Sequence, residues 1–228
     1  KNGIATASGL TAYLFVNDTT KDVRVVFGGT SSGEKAEGAE ITGSSTTTAK
    51  QWIANTKNVF SGTPDSYKEA ANLVVNLKSQ LPEDYKLSVS GHSKGGGEST
   101  YAAMMLSAKT GEPVKAINFS SAELGSKLKQ NIANELVKNG VKAEDLTSKF
   151  EELSQNILQI KIKGDPVPNV HKFFDKVSHL GKTLTLPNDN KSLTHLSEHV
   201  DFFSRVASWA DTGSMKNHEA YNQSRIYG

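Results

Sequence analysis

Leu87-Ser88-Val89-Ser90-Gly91-His92-Ser93-Lys94-Gly95-Gly96 is the stretch on which the reading of this chain turns. Its first four residues alternate apolar and small polar side chains, the period of a half-buried strand. Gly96 to Ala108 behind it is rich in Ala, Met and Leu, as a helix is. Between them lies Gly91-His92-Ser93-Lys94-Gly95, a G-x-S-x-G run. A serine on so sharp a strand-to-helix turn is pushed out of the sheet, with its hydroxyl exposed and the next backbone N–H pointing into the same space. Glycines flank it because the turn leaves no room for a Cβ and brings strand and helix close. The run alone is weak, since a chain with 19 glycines produces it by chance. The strand before and the helix after carry the reading, which makes Ser93 a candidate nucleophile and ester cleavage the leading hypothesis.

Working outward, Thr11 to Val16 and Val23 to Phe27 are β-rich runs separated by the turn-forming Asn17 to Asp22, and are expected to pair as a hairpin. Ser31 to Lys50 is small, polar and rich in Gly, Ser and Thr, so a lid or loop is expected at about 31–50. Tyr67, Ala70, Ala71, Val74, Leu77 and Leu81 share one face of a helix over Asp65 to Leu81, with Thr63 or Asp65 as the cap and Pro82 as the stop. Further strands are expected at Val114–Phe119, Ile157–Ile162 and Thr183–Leu186. Helices are expected at Leu128–Val137, Leu146–Leu153 and Leu196–Ala210. Strands alternating with helices predict an α/β fold with a largely parallel sheet covered by helices on both faces. No repeat or linker divides the chain, so 1–228 is expected to be a single domain.

Composition narrows the function. With 228 residues the chain can bury a proper core, and a formal net charge of +2 gives no reason to expect a nucleic-acid partner. No apolar run approaches the roughly 20 residues of a transmembrane segment. There is no cysteine, which excludes disulfides, thiolate nucleophiles and cysteine-based zinc sites. That absence, with a chain beginning at Lys1 rather than Met, is what a processed protein secreted or exported from a bacterium is expected to show.

A serine hydroxyl needs a base to take its proton and a third group to orient that base. In α/β hydrolases these follow in the order Ser, Asp or Glu, then His, and sites lie at the carboxyl ends of strands. Asp165 meets both conditions, directly after Ile157–Ile162; its competing reading is a turn aspartate ahead of Pro166. Asp175, Asp189 and Asp201 follow no long buried strand. The base is sought among His171, His179, His195, His199 and His218. His218 lies in a polar stretch after the last long helix, where a catalytic loop belongs, and His199 near the start of that helix is the alternative. The oxyanion needs two donors. Lys94 supplies its backbone N–H, and Thr30, in the Gly28-Gly29-Thr30 turn after the second strand, supplies the other.

With these residues placed, the chain resembles the class 3, fungal-lipase-like lipases of the α/β-hydrolase superfamily, as a bacterial phospholipase- or esterase-like member. The resemblance runs from about Ala12 to Tyr221. Val25-Val26-Phe27-Gly28-Gly29-Thr30 is similar to the family's V-V-F-R-G-[ST] oxyanion segment, and Gln51-Trp52-Ile53 to its N-W-I element. Ser90 to Gly96 resembles its G-H-S-L-G-G elbow, and Gly164-Asp165-Pro166-Val167-Pro168 matches its G-D-P-V-P acid motif. His179-Leu180-Gly181 resembles its H-x-G, which implies a structural role for His179. The family's base is followed three residues later by an aromatic and lies about fifty residues beyond the acid. His218 with Tyr221 fits both criteria; His199 with Phe202 fits only the first.

The resemblance implies a Ser93–His218–Asp165 triad, an acyl-enzyme, and no metal or organic cofactor. Gly28 stands where the family has Arg, so an ion pair bracing that loop is missing. Lys94 stands where it has Leu, beside the nucleophile. Lys94 and Lys35 are candidate attractors of anionic head groups. Ile41 is the sole large aliphatic residue of the lid region, which argues against bulk triglyceride and for a phospholipid or small ester, with phospholipase A1-type cleavage the first choice. The expected partner is a lipid or phospholipid ester, met at a membrane surface.

Three other readings compete. His195-x-x-Glu198-His199 matches an inverted zinc-peptidase helix, with His218 or Glu219 as third ligand. It leaves the elbow and G-D-P-V-P unexplained. Gly29 to Lys35 is one residue short of a phosphate-binding loop. A catalytically silent lipid-binding module would bind vesicles and be indifferent to loss of Ser93.

Overall fold

The computed structural model describes residues 2–29, 62–163, 165, 167–168 and 179–187. Seven strands form one sheet in sequential order: β1 (Asn2–Ala5), β2 (Thr11–Asn17), β3 (Asp22–Phe27), β4 (Lys86–His92), β5 (Lys115–Phe119), β6 (Ile157–Ile162) and β7 (Lys182–Leu186). Among the described residues four α-helices accompany them: α1 (Asp65–Gln80), α2 (Lys94–Thr110), α3 (Ser126–Lys138) and α4 (Leu146–Ser154). β1, β2 and β3 pair antiparallel, and every pairing from β3 to β7 is parallel. The expected hairpin forms, with the Asn17 side chain accepting the Thr19 and Thr20 N–H groups across its turn.

Two expectations are corrected, and one strand forms where the sequence predicts none. β1 has no periodic signal of its own; its four residues become a strand by pairing with β2, Ile4 opposite Ala12. Neither Thr63 nor Asp65 caps α1. Pro64 occupies the cap position, Thr63 Oγ1 accepts a hydrogen bond from Asn131 of α3, and Asp65 pairs with Lys68 at the surface. The elbow helix starts at Lys94, two residues before the expected Gly96. Pro82 does end α1, holding Leu81 in extended backbone at φ −78°, ψ 140°. The expected helix at 196–210 and the lid at 31–50 lie outside the described residues.

α2 is the centre of the core, buried along most of its length. It lies against α1, α3, α4 and strands β3, β4 and β5. Ala70 and Ala71 of α1 and Ala102 and Ala103 of α2 belong to this core, small residues that let helices approach closely. Beneath them one polar hub is buried. Thr100 Oγ1 donates to Gly96 O at 2.9 Å and accepts from Asn118 Nδ2 of β5 and Gln159 Nε2 of β6, each at 3.0 Å. One hydroxyl thereby ties together the helix behind Ser93, strand β5 and the strand that leads to Asp165.

Candidate active site

Ser93 stands between the end of β4 and the start of α2 with φ 56° and ψ −125°. A positive φ is strained for a residue with a Cβ, by about 1–3 kcal/mol, and persists where the surroundings over-determine it. They do so here. Ser93 N–H donates to Phe119 O at 3.1 Å, and Ser93 O accepts from Gly96 N at 3.0 Å and Ala122 N at 2.9 Å. Two glycines permit the packing. A Cβ on Gly91 would collide with the Gly95 carbonyl, and one on Gly95 with the Phe27 and Gly28 carbonyl oxygens. The elbow expected from G-x-S-x-G is therefore present, pressed against the loop that follows β3.

That loop is fixed from its other side as well. Gly28 N–H donates to Thr11 O at 2.8 Å. A methyl on Gly29 would lie 3.5 Å from Ser93 Cβ, so Gly29 runs directly beside Ser93. Thr30, the second oxyanion candidate, lies outside the described residues. Lys94 is the first residue of α2, so its backbone N–H is among those a helix leaves without an intrahelical acceptor.

Asp165 follows β6 at the same carboxyl edge of the sheet, fully buried. β5 lies between β4 and β6, so the strands that lead to the two candidates are two strand spacings, about 10 Å, apart. Asp165 Oδ1 also accepts the Val167 N–H at 2.9 Å. The turn reading of this aspartate thus has an observed contact behind it. His195, His199 and His218, with Glu198 and Glu219, lie outside the described residues, as do His171, Asp175, Asp189 and Asp201. His179 has the structural surroundings expected of it. Its Nε2 lies 2.8 Å from Pro168 O and 3.4 Å from Glu123 Oε1, clipping the acid turn to the segment before β7.

The Lys94 side chain corrects an expectation. Its place beside the nucleophile suggests a cation facing the substrate, but its ammonium pairs with Glu98 Oε1 at 2.5 Å and donates to Gly9 O at 2.9 Å. Glu98 is fully buried. Burial pushes its carboxyl above the ordinary value of 4.5, and Lys94 pulls it back. Burial and the Glu98 charge together push the Tyr67 phenol up, so it stays neutral. Beside them Glu69 Oε2 accepts from Thr6 and Ser8 hydroxyls, each at 2.6 Å, which hold Glu69 below its ordinary value. Lys94 and Glu98 stand i, i+4 on one helix, a spacing that the sequence displayed and that charge patterning would have found. The Gly9 carbonyl left no such signal.

Residues 3–196 match the model of the Tle-like phospholipase domain. The chain belongs to this phospholipase-like family. The matched span contains Thr30, Ser93 and Asp165; His199 and His218 lie beyond it. No curated protein matches the chain. Among solved structures the chain is similar to the Rhizomucor miehei lipase–propeptide complex, with 21% identity and a TM-score of 0.50 over 82% of this chain and 56% of that one. A triacylglycerol lipase whose catalytic centre is a serine protease triad gives 20%, 0.51, and 81% against 65%. A mutant form of MDLA from Penicillium cyclopium gives 18%, 0.51, and 84% against 64%. The chain thus spans just over half to just under two thirds of these structures. At such identities the likeness concerns the fold alone, and it bears out the expected α/β-hydrolase fold; the lipase-like family resemblance rests on the family match. Among the described residues, no helix is long and apolar enough to cross a membrane, and no cluster of His, Asp and Glu is arranged to hold a metal ion.

Proposed function

We propose that this member of the Tle-like phospholipase family is a serine carboxylic ester hydrolase acting on lipid esters, with phospholipase A1-type cleavage as its chemistry. The observation that carries the proposal is the strained, doubly pinned backbone of Ser93 at the carboxyl edge of β4, two strands from the buried Asp165. A helix cap that served packing alone would have no reason to hold a serine there. In the proposed cycle Ser93 Oγ attacks the ester carbonyl and its proton passes to His218, with His199 the alternative base. Asp165 orients the imidazole and stabilises its cation. The backbone N–H of Lys94 and the Thr30 residue hold the oxyanion until the alcohol leaves with the proton from the imidazolium. Water then resolves the acyl-enzyme by the same steps.

The test is hydrolysis of p-nitrophenyl esters of graded chain length, and of phospholipid vesicles labelled separately at the two acyl positions. The native protein, Ser93→Ala, His218→Ala, His199→Ala and a chelator-treated sample are compared. Activity lost in Ser93→Ala and untouched by chelator is expected, with release from the first acyl position. Activity that survives Ser93→Ala and dies with chelator would refute the triad in favour of zinc at His195 and His199. Vesicle binding without hydrolysis would leave the silent-module reading.

A further inference from the structure

We propose that Glu123 and His179 form a positioning pair that holds the Asp165 turn at a fixed distance from the Ser93 elbow. The inference rests on the serine-hydrolase reading above. A triad works only while serine and acid keep their separation, because one imidazole has to meet both. Ser93 and Asp165 follow different strands, β4 and β6, with β5 between them. Whatever sets their separation must therefore cross β5, and the segment that follows β5 does so.

That segment is bonded to both neighbours. Phe119 O accepts the Ser93 N–H at 3.1 Å, Ala122 N–H donates to Ser93 O at 2.9 Å, and Ser120 N–H donates to Ile160 O of β6 at 2.8 Å. Ser120 takes a φ of 44°, a strained conformation that persists only where the surroundings over-determine it. Next to Ala122 stands Glu123, whose buried carboxylate lies 3.4 Å from His179 Nε2. The same nitrogen lies 2.8 Å from Pro168 O. A carbonyl oxygen only accepts, so Nε2 carries a proton and donates it there, and the carboxylate beside it favours that state. Pro168 directly follows Val167, whose N–H Asp165 Oδ1 accepts. A continuous path thus runs from the serine to the aspartate through Ala122, Glu123, His179 and Pro168.

Both members of the pair are steadied. Leu180 O accepts from Gln159 Nε2 at 3.2 Å, and a Cβ on Gly181 would strike the Ile157 carbonyl, so the backbone beside His179 is pressed onto β6. Glu123 has a second cation at hand in Lys129 of α3: burial pushes that ammonium below its ordinary value, and Glu123 draws it back up. Glu123 acts through the backbone of Ala122 and His179 through that of Pro168.

The test is steady-state hydrolysis of p-nitrophenyl butyrate by the native protein, Ser93→Ala, Asp165→Asn, His179→Leu, His179→Gln, Glu123→Leu/His179→Leu and Asp165→Asn/His179→Leu. Leucine suits the apolar pocket that His179 lines with Leu146, Phe150 and Leu180. The Glu123→Leu/His179→Leu variant strands no buried carboxylate and serves where His179→Leu does not fold. Circular dichroism and thermal melts select the folded variants. Loss of the pair is expected to lower kcat about 10- to 100-fold with KM changed less than about twofold. Glutamine offers an amide N–H in place of Nε2–H and should recover most of the loss.

The Asp165→Asn background decides between positioning and mere structure. With no carboxylate left to orient the base, placement of the turn ceases to matter, so adding His179→Leu should lower kcat less than about twofold further. The same loss in both backgrounds would overturn the pair in favour of a purely structural role. Native kcat in folded His179→Leu, with Ser93→Ala and Asp165→Asn both impaired, would also overturn it and leave the esterase reading intact. Native kcat in Asp165→Asn would remove the acid and the pair together, and activity that survives Ser93→Ala would remove the esterase reading as well.

Discussion

Replacing Thr100 by Val tests whether the buried hub holds the strands of the site together. The substitution keeps the shape and removes one hydroxyl. Asn118 Nδ2 then loses the acceptor it had at 3.0 Å, at a fully buried position. Gln159 Nε2 loses the same acceptor but keeps Leu180 O at 3.2 Å. An orphaned buried donor costs about 1–3 kcal/mol. Asn118 incurs the full penalty and Gln159 part of it, while the new methyl returns about 0.8 kcal/mol. A net loss of about 2 kcal/mol is expected. With a urea m-value of about 2 kcal/mol/M, the midpoint of unfolding should fall by about 1 M without a change in slope. Thr100→Ser keeps the hydroxyl and should lose no more than about 1 kcal/mol. Thr100→Val combined with Asn118→Leu should lose less than the two changes separately, since no Asn118 amide is left to strand. A Val variant as stable as the Ser variant would refute the hub.

Ala at Gly95 places a Cβ against the Phe27 and Gly28 carbonyl oxygens, backbone that cannot swing aside; a loss of about 2–3 kcal/mol is expected from melts, with a fall in turnover of about 100-fold. Ser93→Gly should be inactive yet about 1–3 kcal/mol more stable than Ser93→Ala, because glycine accepts the positive φ; equal melting points would deny the strain. Glu69 is held below its ordinary 4.5 by Ser8, then Thr6. Its contribution is therefore present above that value and lost as pH falls through the lowered one. The gap in melting temperature between native protein and Glu69→Gln should close between about pH 5 and pH 3, and a gap constant across that range would exclude the linkage.

The fold was legible in the sequence wherever a segment carried its own period. Ile157–Ile162 and the amphipathic face of α1 are examples, and G-x-S-x-G located the elbow because its glycines are demanded by close backbone approach. β1 was illegible because Asn2-Gly3-Ile4-Ala5 becomes a strand only through its partner. The caps failed for a related reason: Thr63 has a better use in reaching Asn131 than in capping its own helix. Ser93 and Asp165 could be read as candidates at the sheet's carboxyl edge, since motif and strand end coincide there. The anchoring of Lys94 could not, because its second partner is a backbone carbonyl in a loop more than 80 residues earlier, and carbonyls carry no sequence identity.

The strictly sequential order of the strands has a consequence for assembly during synthesis. Among the described residues every strand finds its neighbour already made, so the sheet can grow by one strand each time the chain lengthens, with none of these strands waiting for an insertion between two others. Ser93, however, is pinned by residues that leave the ribosome after it: Phe119, whose carbonyl takes its N–H, and Ala122, whose N–H meets its carbonyl. A nascent chain ending before Phe119 would hold the elbow strand in place with Ser93 free to relax to an ordinary backbone conformation. The strained geometry of Ser93 is thus installed one strand behind the serine that bears it, and Asp165 arrives one strand later still.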